Sequence, residues 1–174
     1  MASVSASTFA NVPCLSRRFV SWANQPSDGQ RAVRAGGLFI GAAYYRAHRI
    51  TPLFLFGYGL SCTTFAVSRL SVSRTISGYN VAVRVGNLGS SAGREVVQVY
   101  VTYPSGAGEP PLQLKSFASI SVPAHATRTA TLALPLSGLS LWMGSHMMAV
   151  PGEYVFNVGT SSVDLPLSAK VFVP

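Results

Sequence analysis

Apolar and polar residues alternate with a period of two through most of the second half of the chain. Tyr79 to Val85 is the clearest case: Val81, Val83 and Val85 fall on one side, Ala82 and Arg84 on the other. That is the signature of a strand with one face buried. Phe65, Val67, Leu70 and Val72 predict an earlier strand, and Thr127 to Leu134 a later one, with Ala130, Leu132 and Leu134 inward. Arg94 to Tyr103 is β-branched and aromatic on both sides, as a central strand is. Leu112 to Val122 reads as a pair of extended segments, Glu153 to Val158 as a strand, and Leu165 to Val173 as the last one. Between them lie turn signals: Asn87-Leu88-Gly89, the Gly- and Pro-rich Pro104 to Pro111, Pro123 to His125, Pro151-Gly152, and Gly159 to Asp164. Short strands at this spacing predict an all-β antiparallel sandwich with an irregular N-terminal extension. Ser137 to Val150 predicts an irregular crossing, with Trp142 as a core plug between the sheets.

Upstream the pattern changes. Ile50 to Phe65, ITPLFLFGYGLSCTTF, is too apolar for a solvated loop and too broken by Pro52, Gly57 and Gly59 for a regular helix. It predicts a buried, irregular connector. Gly36 to Tyr45 is a short apolar segment of undecided type, and residues 1–35 show no periodicity. The predicted division is therefore a tail over 1–35, a connecting region over 36–64, and the sandwich over 65–174.

Composition adds constraints. A hydrophobic fraction of 48% in 174 residues supports a real core. Charged residues are only 10%, against roughly 25% in an average soluble domain. A surface so poor in charge suits a secreted β protein, or one whose apolar faces lie against further polypeptide. The net charge is +8, but the arginines are scattered and only Arg17 and Arg18 are adjacent. Nucleic-acid binding needs clustered charge, so no such partner is expected. No apolar run reaches the ~18 residues of a membrane helix, and no secretory signal is evident at the N-terminus. Met1 reads most simply as an internal start. Cys14 and Cys62 leave pairing open, with free cysteines acting as small hydrophobes the simpler expectation.

Three pieces of the chain together resemble the C-terminal region of glycoside hydrolase family 3 β-glucosidases, of the secreted fungal type. LFIGAAYYRAHRITPLFLFGYGLSCTTF is similar to the family's junction between its second catalytic domain and its last domain. VRVGNLGSSAGREVVQVYVTYPSGAGEPPLQLKSF resembles the first half of its fibronectin type III-like domain. LSLW followed by VPGEYVFNVGTSSVDLPL resembles the second half. The chain departs from the family pattern at Ala42-Ala43, Leu55, Cys62 and Met143, the last in place of an Asp after the tryptophan.

The resemblance implies a parent enzyme that releases terminal β-D-glucose, breaks down cellobiose and cellulose, and works outside the cell. It also implies that 36–64 is a remnant of the α/β domain with its connector. Retaining hydrolysis needs two carboxyl groups ~5–5.5 Å apart. In the family both precede the region covered here, so this chain is expected to hold no catalytic residue and to be inactive alone. Its partners would be the missing catalytic domains. The chain's own acids, Asp28, Glu95, Glu109, Glu153 and Asp164, read as solvated turn or strand-end residues rather than a tuned pair. His48, His125 and His146 lack a second ligand at helical spacing, so no metal is expected. Gly57-Tyr58-Gly59 lacks the frame of a nucleotide loop, and no cofactor is expected. The rival reading is a stand-alone polysaccharide or cell-wall binding module using Trp142, Tyr100 and Tyr103.

Overall fold

A computed structural model describes residues 42–52, 55–59 and 61–174. Two compact units divide the chain, residues 1–54 and 55–174. The expected tail and the apolar run from Gly36 to Gly41 lie outside the described residues.

In the first unit the described part is one short helix, α1 (Ala42–Ala47). It ends where Arg49 takes a left-handed φ of 54°. The Ile50 N–H then reaches the Tyr45 carbonyl at 2.9 Å, and the Arg49 N–H the Arg46 carbonyl at 3.2 Å. This closure satisfies carbonyls that the helix end would otherwise leave open. The His48 ring stacks on Tyr44, centroids 4.1 Å apart.

The second unit is the sandwich. Its strands are β1 (Phe65–Arg74), β2 (Gly78–Asn87), β3 (Gly93–Thr102), β4 (Gln113–Val122), β5 (Thr127–Pro135), β6 (Leu141–Trp142), β7 (Met147–Met148), β8 (Gly152–Gly159) and β9 (Leu167–Val173). A helical turn, α2 (Leu136–Leu139), follows β5. One sheet has the order β1-β2-β5, the other β4-β3-β8-β9, and β6-β7 form a separate hairpin. The pairs are antiparallel. The all-β sandwich read from alternation is therefore the observed fold. Leu112 to Val122, expected as two segments, is the single strand β4. A shift in its register opposite Val99 and Tyr100 accommodates the irregularity.

The core lies where the alternation points. Val81, Val83 and Val85 of β2 and Leu132 and Leu134 of β5 face Val97, Val99 and Val101 of β3 and Tyr154, Phe156 and Val158 of β8. Tyr79 meets Phe156 edge-on at 5.6 Å between centroids. β1 is an edge strand, and its register breaks between Ser68 and Ser71, where Arg69 sits at φ 54°. Such a bulge twists an edge away from further pairing.

Trp142 is not a core plug. It is 63% exposed, whereas Leu141 beside it is buried. Adjacent strand residues point to opposite faces, so once Leu141 takes the inward position Trp142 must point out.

Candidate functional site: the outer face of the larger sheet

The two sheets turn very different surfaces outward. On the β1-β2-β5 sheet the outward positions are small or polar: Ser68, Ser71, Ser73, Asn80, Arg84, Thr129 and Thr131 are exposed. On the β4-β3-β8-β9 sheet two phenylalanines stand outward, Phe117 at 69% exposure and Phe172 also at 69%. Val96 and Leu114 are exposed on the same face. Phe117 on β4 and Phe172 on β9 stand at opposite edges of this face, and exposed apolar side chains on a charge-poor domain mark a contact surface.

A buried polar pair sits among them. Gln98 is directly opposite Phe117, and Tyr100 directly opposite Leu114. The Tyr100 hydroxyl donates to Gln98 Oε1 at 2.7 Å, and Gln98 Nε2 donates to the Thr160 carbonyl at 3.2 Å. Tyr100 is only 6% exposed. Gln98 has the chain's own connector against it.

That connector is the glycine-broken run. Leu55 to Gly59 makes a tight turn, the Tyr58 N–H donating to the Leu55 carbonyl at 3.2 Å. The Phe56 carbonyl accepts from the Ser162 N–H at 2.9 Å. Gly57 lies directly on Gln98: a Cβ there would fall 2.3 Å from Gln98 Nε2, and φ is 81°. Only glycine meets both conditions without strain. Phe56 and Tyr58 remain exposed beside this contact.

Further along, the connector is tied down by polar groups. Ser61 Oγ donates to Glu95 Oε2 at 3.0 Å, and Glu95 Oε1 accepts from the Val96 N–H at 2.9 Å. Thr63 Oγ1 donates to Asn87 Oδ1 at 2.8 Å, and Oδ1 also accepts from the Gly89 N–H at 3.0 Å. Asn87 Nδ2 donates to the Ser91 carbonyl at 2.8 Å and the Val122 carbonyl at 3.1 Å. One buried amide thus joins the connector, the β2–β3 turn and the end of β4.

The acids do not behave as expected in one case. Glu95 is buried, not solvated, because it anchors Ser61. Asp164 accepts from Thr160 Oγ1 at 3.0 Å, Glu153 pairs with exposed Lys170 at 2.9 Å, and Glu109 accepts from Gln113 Nε2. Asp28 lies outside the described residues. Glu95 and Glu153 open two antiparallel neighbours, β3 and β8, so they stand at opposite ends of the sheet. Two of the three aromatics expected to stack on sugar are unavailable: Tyr100 and Tyr103 are buried, leaving Trp142 outward. Cys62 is exposed and forms no disulfide among the described residues, and Cys14 lies outside them. His125 sits in the β4–β5 turn and His146 on the hairpin, so the sandwich does not bring them together.

At the far end of the sheet, burial pushes the Tyr103 phenol well above its ordinary range, helped by the Glu109 charge and then by Tyr154. Burial holds the Lys115 ammonium below its usual value, opposed by Glu109. Lys115 Nζ lies 5.3 Å from the centre of the Tyr103 ring. No sequence signal marked this group. It joins Tyr103 just after β3, Lys115 on β4 and Glu109 of the Pro/Gly loop.

The order of strands, three against four with β3 and β8 central in the larger sheet, defines a fibronectin type III-like domain. The family model for the fibronectin type III-like domain matches residues 95–162. The probable β-glucosidase D of Aspergillus niger is 32% identical over 159 residues, covering 79% of this chain and 21% of that protein. The thermostable β-glucosidase B of Acetivibrio thermocellus is 35% identical over 162 residues, covering 88% and 21%. Among solved structures, β-glucosidase 3B of Thermotoga neapolitana, in complex with glucose, superposes with a TM-score of 0.80 at 32% identity, covering 95% of this chain and 23% of that one. The chain belongs with the C-terminal, fibronectin type III-like region of the glycoside hydrolase family 3 β-glucosidases. It spans about a fifth of the length of these relatives.

Proposed function

We propose that the chain is the accessory, non-catalytic part of a β-glucosidase, and that its four-stranded sheet is the face turned toward the domains carrying the catalytic carboxylates. The contrast between the two outward faces carries this reading. A free-standing sandwich would be expected to solvate both, and here only the β1-β2-β5 face is small and polar. Phe117, Phe172, Phe56 and Tyr58 offer apolar area to a neighbour, and the Gln98–Tyr100 pair is already desolvated beneath the connector. The relatives named β-glucosidases, each several times longer, supply the rest of such an enzyme. Residues 36–64 would belong to the α/β domain and its link, and the parent would act outside the cell, on β-glucosides such as cellobiose.

Catalysis by this chain alone is unsupported chemically. Retaining hydrolysis needs a nucleophilic carboxylate and a protonated acid ~5–5.5 Å apart across a cleft. The described acids are each engaged in a local bond, and Glu95 and Glu153 stand at opposite ends of a sheet. The test uses the purified chain and the catalytic portion of the Aspergillus niger relative expressed without its matching segment. The chain alone is expected to leave an aryl β-glucoside intact, and adding it is expected to raise the activity or thermal stability of the truncated relative. Phe117→Lys should abolish that rescue while leaving the chain folded. Turnover by the chain alone, lost when its acids are replaced by amides, would overturn the accessory reading. Rescue unaffected by Phe117→Lys and Phe172→Lys together would overturn the assignment of the face.

A further inference from the structure

The hairpin beyond the sandwich carries donors that the contact face does not use. Leu141 lies opposite Met148, and Trp142 opposite Met147. The Met143 N–H donates to the His146 carbonyl at 2.9 Å, which adds a third rung and leaves Gly144 and Ser145 as the loop. Gly144 has φ 85°, as such a turn requires. Cross-strand partners share a face, and neighbours along a strand alternate. Carried one residue beyond each strand, that alternation puts Met143, His146 and Met148 on the Leu141 face, and Trp142 and Met147 on the other. Leu141 is buried in the core cluster, which fixes how the hairpin is seated.

We propose that Met143, His146 and Met148 form a binding site for a soft monovalent metal ion, Cu(I) or its analogue Ag(I), held by two thioether sulfurs and one imidazole nitrogen. Thioether and imidazole are neutral, soft-to-borderline donors, and that set favours Cu(I) over ions that want oxygen. No group of three His, Cys, Asp or Glu able to hold a metal occurs among the described residues, so a hard or tetrahedral site has no competing basis here. Both methionines are exposed and unbranched, with enough rotatable bonds to bring sulfur over the imidazole. The Ser145 hydroxyl lies 3.0 Å from His146 Nδ1. In the tautomer whose Nδ1–H donates to Ser145, Nε2 carries the lone pair that a ligating histidine needs.

The experiment uses the full chain with Cys14→Ser and Cys62→Ser, because a thiolate would capture the ion first. Silver nitrate is titrated in chloride-free buffer, followed by heat and by tryptophan fluorescence, with Trp142→Phe to assign the signal. Cu(I) is then competed anaerobically against bathocuproine disulfonate. Saturation at a single equivalent is expected, with zinc failing to displace it. Met143→Leu, Met148→Leu and His146→Ala should each weaken binding on the order of 10- to 100-fold. Met147→Leu, on the opposite face, should leave it unchanged. Leucine conserves volume, so these variants keep the fold, which circular dichroism checks. Absence of saturable binding in the cysteine-free chain would overturn the site. So would binding that survives the triple substitution, or Met147→Leu proving as harmful as Met143→Leu.

Discussion

Replacing Gly57 by alanine should release the connector from the sheet, and the amount can be worked from two glycines that share a conformation but not an environment. Gly57 and Gly59 both sit at positive φ, 81° and 72°. An alanine in that region costs about 1–2 kcal/mol of backbone strain. At Gly59 nothing lies within 4 Å of an added Cβ, so strain is the whole effect. At Gly57 the methyl would fall 2.3 Å from Gln98 Nε2 and 3.2 Å from the Thr160 carbonyl. The Gln98 amide must move and give up its bond to Thr160, a further loss of about 1 kcal/mol. Gly57→Ala should thus cost about 2–3 kcal/mol. The local reporter is the Ser162 N–H, which is bonded to the Phe56 carbonyl. Where reclosing outruns exchange, its protection against hydrogen exchange should fall roughly 25- to 150-fold in Gly57→Ala and roughly 5- to 30-fold in Gly59→Ala. Adding Gln98→Ala to Gly57→Ala should recover about 1 kcal/mol relative to the sum of the single changes, because the clash has gone. Equal losses at the two glycines, or strict additivity in the cycle, would refute the claim that Gly57 is required by its contact with Gln98.

Other changes separate core from surface. Phe156→Ala empties a fully buried position against Tyr79 and should cost about 3–5 kcal/mol in urea denaturation, while Phe117→Ala should stay within about 0.5 kcal/mol. Asn87→Ala removes an amide that makes four hydrogen bonds and should cost about 2–4 kcal/mol. Asn87→Asp should be at least as harmful at neutral pH and partly recover in acid, since its carboxylate would face the Ser91 and Val122 carbonyls. Tyr103 is 7% exposed and its hydroxyl has no hydrogen-bond partner, so Tyr103→Phe should be neutral or stabilising by about 1 kcal/mol near pH 7. The phenol's raised value means the folded state keeps a proton that the unfolded state loses. Its contribution is therefore present below pH ~10, the unfolded value, and is lost as pH rises above it, so Tyr103→Phe should flatten the alkaline decline. A steeper decline in the variant would contradict the assignment.

What could be read from the residues follows from where the hydrophobic period was uninterrupted. Val81, Val83 and Val85 predicted their own burial, because a half-buried strand obeys alternation alone. β4 was harder: the register shift opposite Val99 and Tyr100 puts Leu114 on the outer face with Phe117, three residues on, while Ile120 packs against the core. Trp142 failed for a related reason. In a two-residue strand the choice of inward position depends on Leu141 reaching the core, which no local pattern reports. The buried Glu95 and the Gln98–Tyr100 pair were invisible because they depend on chain 34 residues away in the case of Ser61. Glu95 read as solvated because the connector residue it binds lies so far away along the chain.

This last point gives the low charge of the chain a physical location. A sheet that buries polar side chains on its outer face needs a cover, since an uncovered Gln98–Tyr100 pair would gain nothing over water. The connector provides part of that cover through Gly57 and stops at Phe56 and Tyr58, whose rings stay exposed. Phe117, directly across from Gln98, continues the same apolar margin on the other side. Water is thus excluded from the middle of the face while its border is apolar, the arrangement of a protein–protein contact with a desolvated centre. The β1-β2-β5 face has neither feature: its outward serines and threonines are exposed. If the larger sheet meets a neighbour, Phe117→Lys and Thr129→Lys should be equally harmless to the isolated fold, yet only the first should disrupt docking. Thr129→Lys disrupting docking as strongly as Phe117→Lys would mean that the contact surface lies on the other side of the sandwich.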